Sequence, residues 1–247
     1  MIEVKKLFTI LSGRVIHKDI NLKAKKGETT VIIGRSGCGK SVLLKIILRL
    51  LKPYSGKIIF EGKDIAFAKE RELTPIREKI GVVFQGSALF DSMNVYGNVG
   101  FALKRIKKMS HKEISKKVDE LLEWVGLRGI GEMFPGELSG GMRKRVGIAR
   151  AIAMHPDLVV FDEPTTGLDP IMTDVVDNLI NRLKKEKNMT SIVVTHDMKS
   201  AYKTADYLYV MEEGTFIGSG VVDEIQNSKD KRIQQFINGN AKGPIKV

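Results

Sequence analysis

Short apolar, β-branched runs recur along the chain between longer stretches of helical character: TTVIIG (29–34), KIIFEG (57–62), IGVVFQ (80–85), LVVFDEP (158–164), SIVVTHD (191–197) and YLYVMEEGTFIG (207–218). Apolar runs of this length suit strands covered on both faces, and strands punctuated by helices imply a largely parallel sheet. The opening residues, IEVKKLFTI and then RVIHKDINL, read instead as an antiparallel sheet. Between Ser92 and His155 the strand signal disappears, and charge-rich helical sequence centred on LKRIKKMSHKEISKKVDELLEWVGL replaces it. The pattern predicts an α/β core (1–91 and 156–228) interrupted by a helical subdomain (92–155), then a polar surface tail over 229–247. There is no internal repeat and no low-complexity linker.

A length of 247 residues suits one large α/β domain, or a core carrying a subdomain. The excess of 41 basic over 29 acidic side chains, a net charge of +12, favours an anionic neighbour such as a nucleotide, nucleic acid or phospholipid surface, and serves solubility equally well. The single cysteine, Cys38, excludes an intrachain disulfide and fits a reducing compartment. The most apolar run, SVLLKIILRLL, is broken by Lys45 and Arg49 and is too short to span a bilayer, and MIEVKK enters a strand pattern without a signal-peptide apolar region. Any membrane role is therefore expected to come through a partner.

The chemistry begins at GRSGCGKS (34–41), which follows the strand TTVII and precedes an apolar helical run. It satisfies G-x-x-x-x-G-K-[ST] in the strand–loop–helix setting that motif needs. Gly34, Gly37 and Gly39 permit a tight loop with backbone N–H groups facing phosphates, and Arg35, Ser36 and Cys38 complete it. Lys40 is placed to reach the β- and γ-phosphates, and Ser41 to hold Mg²⁺. Cys38 reads as a small loop residue, although a helix N-terminus can also activate a thiol. LVVFDE then sets two carboxylates at the end of a buried strand, where ligands collect in open α/β sheets. Asp162 suits a metal-coordinating acid, and Glu163 a group that orients or deprotonates water. Gln85 and His196 close two further strand-like runs with polar groups. LSGGMRKR (138–145) opens another helical run with Ser139, Gly140 and Gly141, a second anion site about 100 residues from the first.

These motifs together resemble the nucleotide-binding subunits of ABC transporters over nearly the whole chain: GRSGCGKS, VVFQ with Gln85, LSGGM, LVVFDEP, TGLDP with Asp169 and VVTHD with His196 occur in the family's order. The resemblance implies an α/β P-loop NTPase fold: a RecA-like parallel-sheet core, an N-terminal antiparallel β subdomain and an inserted helical subdomain. It implies two copies sandwiching two ATP molecules head to tail, so that Ser139, Gly140 and Gly141 bind the γ-phosphate of ATP held by the other copy, which explains the second anion site. It further implies Mg²⁺ at Ser41, Gln85 and Asp162, Glu163 as catalytic base, His196 on the γ-phosphate and Asp169 in communication across the dimer. The family's usual adenine-stacking aromatic has no counterpart here: Leu11 falls near that place and Phe8 is the only nearby aromatic.

Within the family, LSGGM with Met142, QGSALFDSMNVYGNVGFAL and the terminal RIQQFINGNAKGPI resemble the Mla/Mce-type phospholipid-transport ATPases. That resemblance implies an integral membrane permease, a membrane-anchored Mce-domain lipid-binding protein and a small accessory regulator as partners. It places the chain peripherally on the cytoplasmic face of an inner membrane or the stromal face in an organelle. Leu89, Phe90 and Met93 lie where the family receives the permease, or else belong to subdomain core, and Phe236 is expected to pack on the second copy. The basic residues Lys104, Arg105, Lys107, Lys108, Lys112, Lys116 and Lys117 read as a solvated face or as an approach to anionic headgroups. Two alternatives remain: the ATPase of a small-solute transporter, for example for amino acids, and a soluble ABC ATPase acting on nucleic acid or ribosomes. A single ABC unit without long coiled coils argues against the second, so no nucleic-acid partner is expected.

Overall fold

The N-terminal pattern folds into β1 (Ile2–Leu11) and β2 (Arg14–Ala24), which pair antiparallel. Ile2, Val4, Leu7, Ile20 and Leu22 turn inward while Lys5 and Lys6 face water. The computed structural model describes residues 1–245; the last two residues of the expected tail lie outside the described residues. TTVIIG becomes β3 (Thr29–Gly34), buried throughout, and leads through the phosphate loop into α1 (Lys40–Ile47).

KIIFEG is a correction. It supplies β4 (Ser55–Phe60), which does not join the parallel sheet but pairs antiparallel with β1, Ile2 opposite Phe60 and Val4 opposite Ile58. With the short β5 (Lys63–Asp64) it completes a four-stranded sheet in the order β2-β1-β4-β5. The physical reason lies in the burial: Ile58 and Phe60 are enclosed but Lys57 is exposed, the alternation of a half-buried strand.

The chain continues through α2 (Glu70–Arg77), β6 (Ile80–Val83), α3 (Val95–Arg105), α4 (His111–Trp124), α5 (Gly140–Ile152), β7 (Leu158–Asp162), α6 (Pro170–Lys187), β8 (Thr190–Thr195) and α7 (Met198–Thr204). The run 207–218 is two strands, β9 (Tyr207–Glu212) and β10 (Thr215–Gly220), folded back at Glu213 and Gly214. Two short helices follow, α8 (Val222–Gln226) and α9 (Lys231–Ile237). The second sheet has the order β10-β9-β3-β8-β7-β6, parallel except for β10.

Alternate residues of the parallel strands feed two cores, as a period of two requires. Val159, Phe161 and Val193 face α3 to α6, whereas Leu158, Val160, Ile192 and Val194 face α1 and the antiparallel sheet. Helix α1 is thereby enclosed between the two sheets, with Leu43, Leu44, Ile46 and Ile47 all buried.

The helical stretch 103–127 is not one helix. Ser110 caps α4, accepting from the N–H of Glu113 while the Glu113 carboxylate accepts from the N–H of Ser110, and this box starts a new helix after the α3 end. Val95, Val99 and Leu103 of α3 join Val118, Leu121 and Leu122 of α4 in the same apolar cluster as the sheet. Of the basic residues named on this surface, all but the half-buried Lys117 are exposed. In the tail, Ile233 is buried and Phe236 half-buried against the chain's own core, while the Gln235 side chain bonds both the N–H and the carbonyl of Ile245.

Candidate functional site

The C-terminal ends of β3, β6, β7 and β8 deliver the predicted residues to one edge of the sheet. Gly39, at φ 112°, precedes α1 in a conformation that favours glycine, and a Cβ there would stand 2.8 Å from His17 Nε2. The Lys40 ammonium is buried and donates to the carbonyls of Gly34 (2.7 Å) and Arg35 (2.9 Å). The Ser41 hydroxyl donates to Asp162 Oδ1 at 2.8 Å, which joins the phosphate loop to the end of β7.

Glu163 is the most constrained residue of the group. Its carboxylate receives hydrogen bonds from Thr166 Oγ1 (3.1 Å) and His196 Nδ1 (2.8 Å) through Oε2, and its Oε1 lies 3.9 Å from Lys40 Nζ. Its backbone sits at φ 51°, in the left-handed region that non-glycine residues enter at a cost and that clusters at functional sites. Its N–H donates to Val194 and its carbonyl accepts from the buried ammonium of Lys144. His196 itself is exposed. Gln85 does not join this cluster through its side chain, which is exposed and makes no hydrogen bond among the described residues; its carbonyl accepts from Lys144.

Cys38 sits in the phosphate loop, half-buried, in line with its reading as a small loop residue rather than an activated thiol. Burial pushes its pKa up, against the smaller pull of Lys40.

The second anion site is elsewhere on the surface. Ser139 caps α5 by accepting from the N–H of Met142, and both Ser139 and Gly140 are exposed and form no hydrogen bond to the chain's own phosphate loop. Met142 packs against the helical core. The start of α5 rests on the TGLDP segment: a Cβ on Gly140 would lie 3.9 Å from Leu168, and one on Gly141 only 2.6 Å from the flexible end of Met172. Asp169 caps α6, accepting from the N–H groups of Ile171 and Met172. Leu89 packs into the helical core, while Phe90 stays 43% exposed, stacked on Phe101 and beneath the Arg150 guanidinium.

Three participants were not singled out from sequence. Thr166 lies in PTTG and has no distinguishing neighbour. His17, fully buried, donates from Nε2 to the carbonyl of Gly39 (3.1 Å), which leaves Nδ1 to accept from Thr9 Oγ1 (3.0 Å); burial lowers its pKa and favours this neutral form. Lys144 hid in the charge run RKR, but it stands three residues from Gly141 and four from Ile148, both buried, so the helical period marks it as inward.

The family model for ABC transporters matches residues 17–166. The chain is 43% identical over 246 residues to the intermembrane phospholipid transport system ATP-binding protein MlaF of Haemophilus influenzae, covering 100% of this chain and 93% of that one. It is 36% identical to MlaF of Escherichia coli K12 (99% and 91%), and 40% identical to the "Probable ribonucleotide transport ATP-binding protein mkl" of Mycobacterium leprae (99% and 70%). Among solved structures, the dimeric post-hydrolysis ATP-binding cassette MJ0796 bound to ADP and Pi matches with a TM-score of 0.83 at 32% identity, covering 90% of this chain and 99% of that one. The cassette cbiO1 of Clostridium perfringens, part of the transporter complex cbiONQ, matches with a TM-score of 0.84 at 36% identity (93% and 91%). With its phosphate loop, paired strand-end carboxylates and LSGG helix in this fold, the chain belongs to the ABC transporter family as an ATP-binding, ATP-hydrolysing cassette.

Proposed function

We propose that this cassette powers phospholipid transport between membranes as the paired ATPase subunit of an Mla/Mce-type transporter. The observation that carries the lipid reading is similarity to the MlaF proteins over essentially the full chain, including the tail that nucleotide chemistry does not require. No helix among the described residues is long and apolar enough to cross a membrane. The chain reaches the bilayer through an integral permease, with an Mce-domain lipid-binding protein and a small accessory regulator completing the assembly at the cytoplasmic face of the inner membrane.

Within the ATPase, the phosphate loop from Gly34 to Ser41 binds the ATP phosphates. The hydroxyl of Ser41 and the carboxylate of Asp162, in contact at 2.8 Å, are the hard oxygen donors that suit Mg²⁺, joined by Gln85 when its exposed side chain turns inward. Mg²⁺ when bound supplies charge neutralisation at the β- and γ-phosphates. Glu163 holds and deprotonates the attacking water, and His196, fixed by Glu163, presents its other nitrogen to the γ-phosphate. Ser139, Gly140 and Gly141 lie at a helix N-terminus, the first two exposed and the third buried, and serve ATP on the second copy, in a C₂ pair across which Asp169 communicates. The exposed part of Phe236 meets that second copy.

The test is gentle purification of the tagged protein from native membranes, with proteins and extractable lipids identified by mass spectrometry. A permease, an Mce-domain protein and enriched phospholipid are expected. A small-solute permease without phospholipid, or ribosomes and nucleic acid without a permease, overturns the lipid function and leaves the ATPase standing.

A further inference from the structure

Helix α5 begins at the exposed LSGG turn and, one turn further on, drives a cation into the other half of the site. Lys144 is only 6% exposed, and its ammonium donates to the carbonyl of Gln85 and, at 3.2 Å, to the carbonyl of Glu163. Among the described residues no carboxylate is in salt-bridge contact with it, and the cost of its burial is offset by the two backbone carbonyls together with the more distant charges of Glu163 and Asp162. Arg150, six residues later on the same helix, donates to the carbonyls of Ser87 and Ala88, both 2.7 Å away. Ser87 and Ala88 have φ of 62° and 45°, so the segment after Gln85 follows an unfavourable path that these contacts stabilise. The backbone of Glu163, itself at positive φ, is held on its N–H side by Val194 and on its carbonyl side by Lys144.

We infer that Lys144 is a positioning residue for hydrolysis: it fixes the backbones that carry Gln85 and Glu163 to the helix that presents Ser139. One ammonium therefore registers the chain's own hydrolytic groups to the surface it offers to a second copy. Loss of the cation leaves the carbonyls of Gln85 and Glu163, the latter buried, short of a donor and lets both backbones relax, which misplaces the water-activating groups while leaving the phosphate loop intact. The contacts of Lys40 and Ser41 do not pass through Lys144, so ATP binding is spared. This inference rests on the roles proposed for Glu163 and Gln85.

The experiment compares wild type, Lys144→Met, Lys144→Arg and Glu163→Gln in the purified full-length chain, measuring steady-state ATP hydrolysis, equilibrium binding of mant-ATP and thermal melting. Lys144→Met is expected to lower kcat by at least about tenfold, the scale on which small misplacements of reacting groups act, with mant-ATP affinity changed less than about twofold. Lys144→Arg, which keeps the cation and its donors, is expected to recover a substantial part of kcat. A kcat for Lys144→Met within about twofold of wild type overturns the inference. So does a parallel loss of mant-ATP affinity, or failure of Lys144→Arg to exceed Lys144→Met, since either makes the residue merely a packing element. If Lys144→Met does not fold, Lys144→Gln is judged by the same criteria. Near-normal turnover in Glu163→Gln rejects the site reading itself, whereas a slow Glu163→Gln beside a normal Lys144→Met rejects only the role of Lys144.

Discussion

Glu163 and Asp177 are both buried carboxylates, and their surroundings set them to different tasks. Glu163 has donors on one oxygen and the Lys40 ammonium near the other, at the rim of the phosphate loop. Replacing it with Gln keeps the shape and removes the proposed base, so turnover is expected to fall by about 10²-fold or more while ATP binding persists, as single-turnover and equilibrium-binding measurements will report. Asp177, 3% exposed in α6, accepts from Ser200 Oγ through Oδ2, and its Oδ1 has no partner. Burial raises its pKa from 3.8 to about 6, with Asp197 and Asp174 adding to the rise and Ser200 and Lys203 opposing it. The native state thus binds this proton more tightly than the unfolded chain, so the penalty of the charge is full above pH about 6 and fades as pH falls toward 4. Asp177→Asn is expected to raise the melting temperature relative to wild type at pH 7.5, with the difference shrinking by pH 5; a constant difference across that range would place the origin elsewhere.

At the scale of elements, the cap of α6 and the start of α5 share one small surface. Asp169 satisfies two N–H groups of α6, a contribution of about 1 kcal/mol for such caps. Asp169→Ala should lower stability by about that amount in chemical denaturation, whereas Asp169→Asn keeps the cap. Slower turnover in the Asn variant at unchanged stability would then isolate a role for the charge in the dimer. The parallel strands and the residues at their ends could be read from sequence because each is carried by a local signal: a buried run, then a polar group. Ser41 and Asp162 meet because both follow such runs. The sheet membership of β4 was not legible, since a short apolar run such as Ile58 to Phe60 has the same composition in either sheet and only its burial pattern, with Lys57 exposed, separates the two. His17 and Lys144 were hidden for a related reason. Each is a polar residue that donates to a backbone carbonyl distant in sequence, and a carbonyl leaves no mark on the identity of its residue.

In the whole molecule, Ser139 and Gly140 are exposed and apart from the chain's own phosphate loop, an arrangement that suits the proposed head-to-tail pair of copies. Glu163→Gln with ATP is expected to run as a dimer in size-exclusion chromatography with light scattering and as a monomer without nucleotide; a monomer under both conditions would contradict head-to-tail pairing. The enclosure of α1 between two sheets has a mechanical consequence. A helix packed on both sides is a stiff mount, so Gly39 and Lys40 cannot shift without disturbing the strands packed against α1, and His17 adds a contact from the outer sheet. The stretch from Gln85 to Phe90 is mounted differently: it follows β6 with positive φ at Ser87 and Ala88 and is held by the cationic side chains of Lys144 and Arg150. The molecule thus sets a phosphate loop mounted on a doubly packed helix beside a segment held to its neighbour chiefly through the side chains of Lys144 and Arg150.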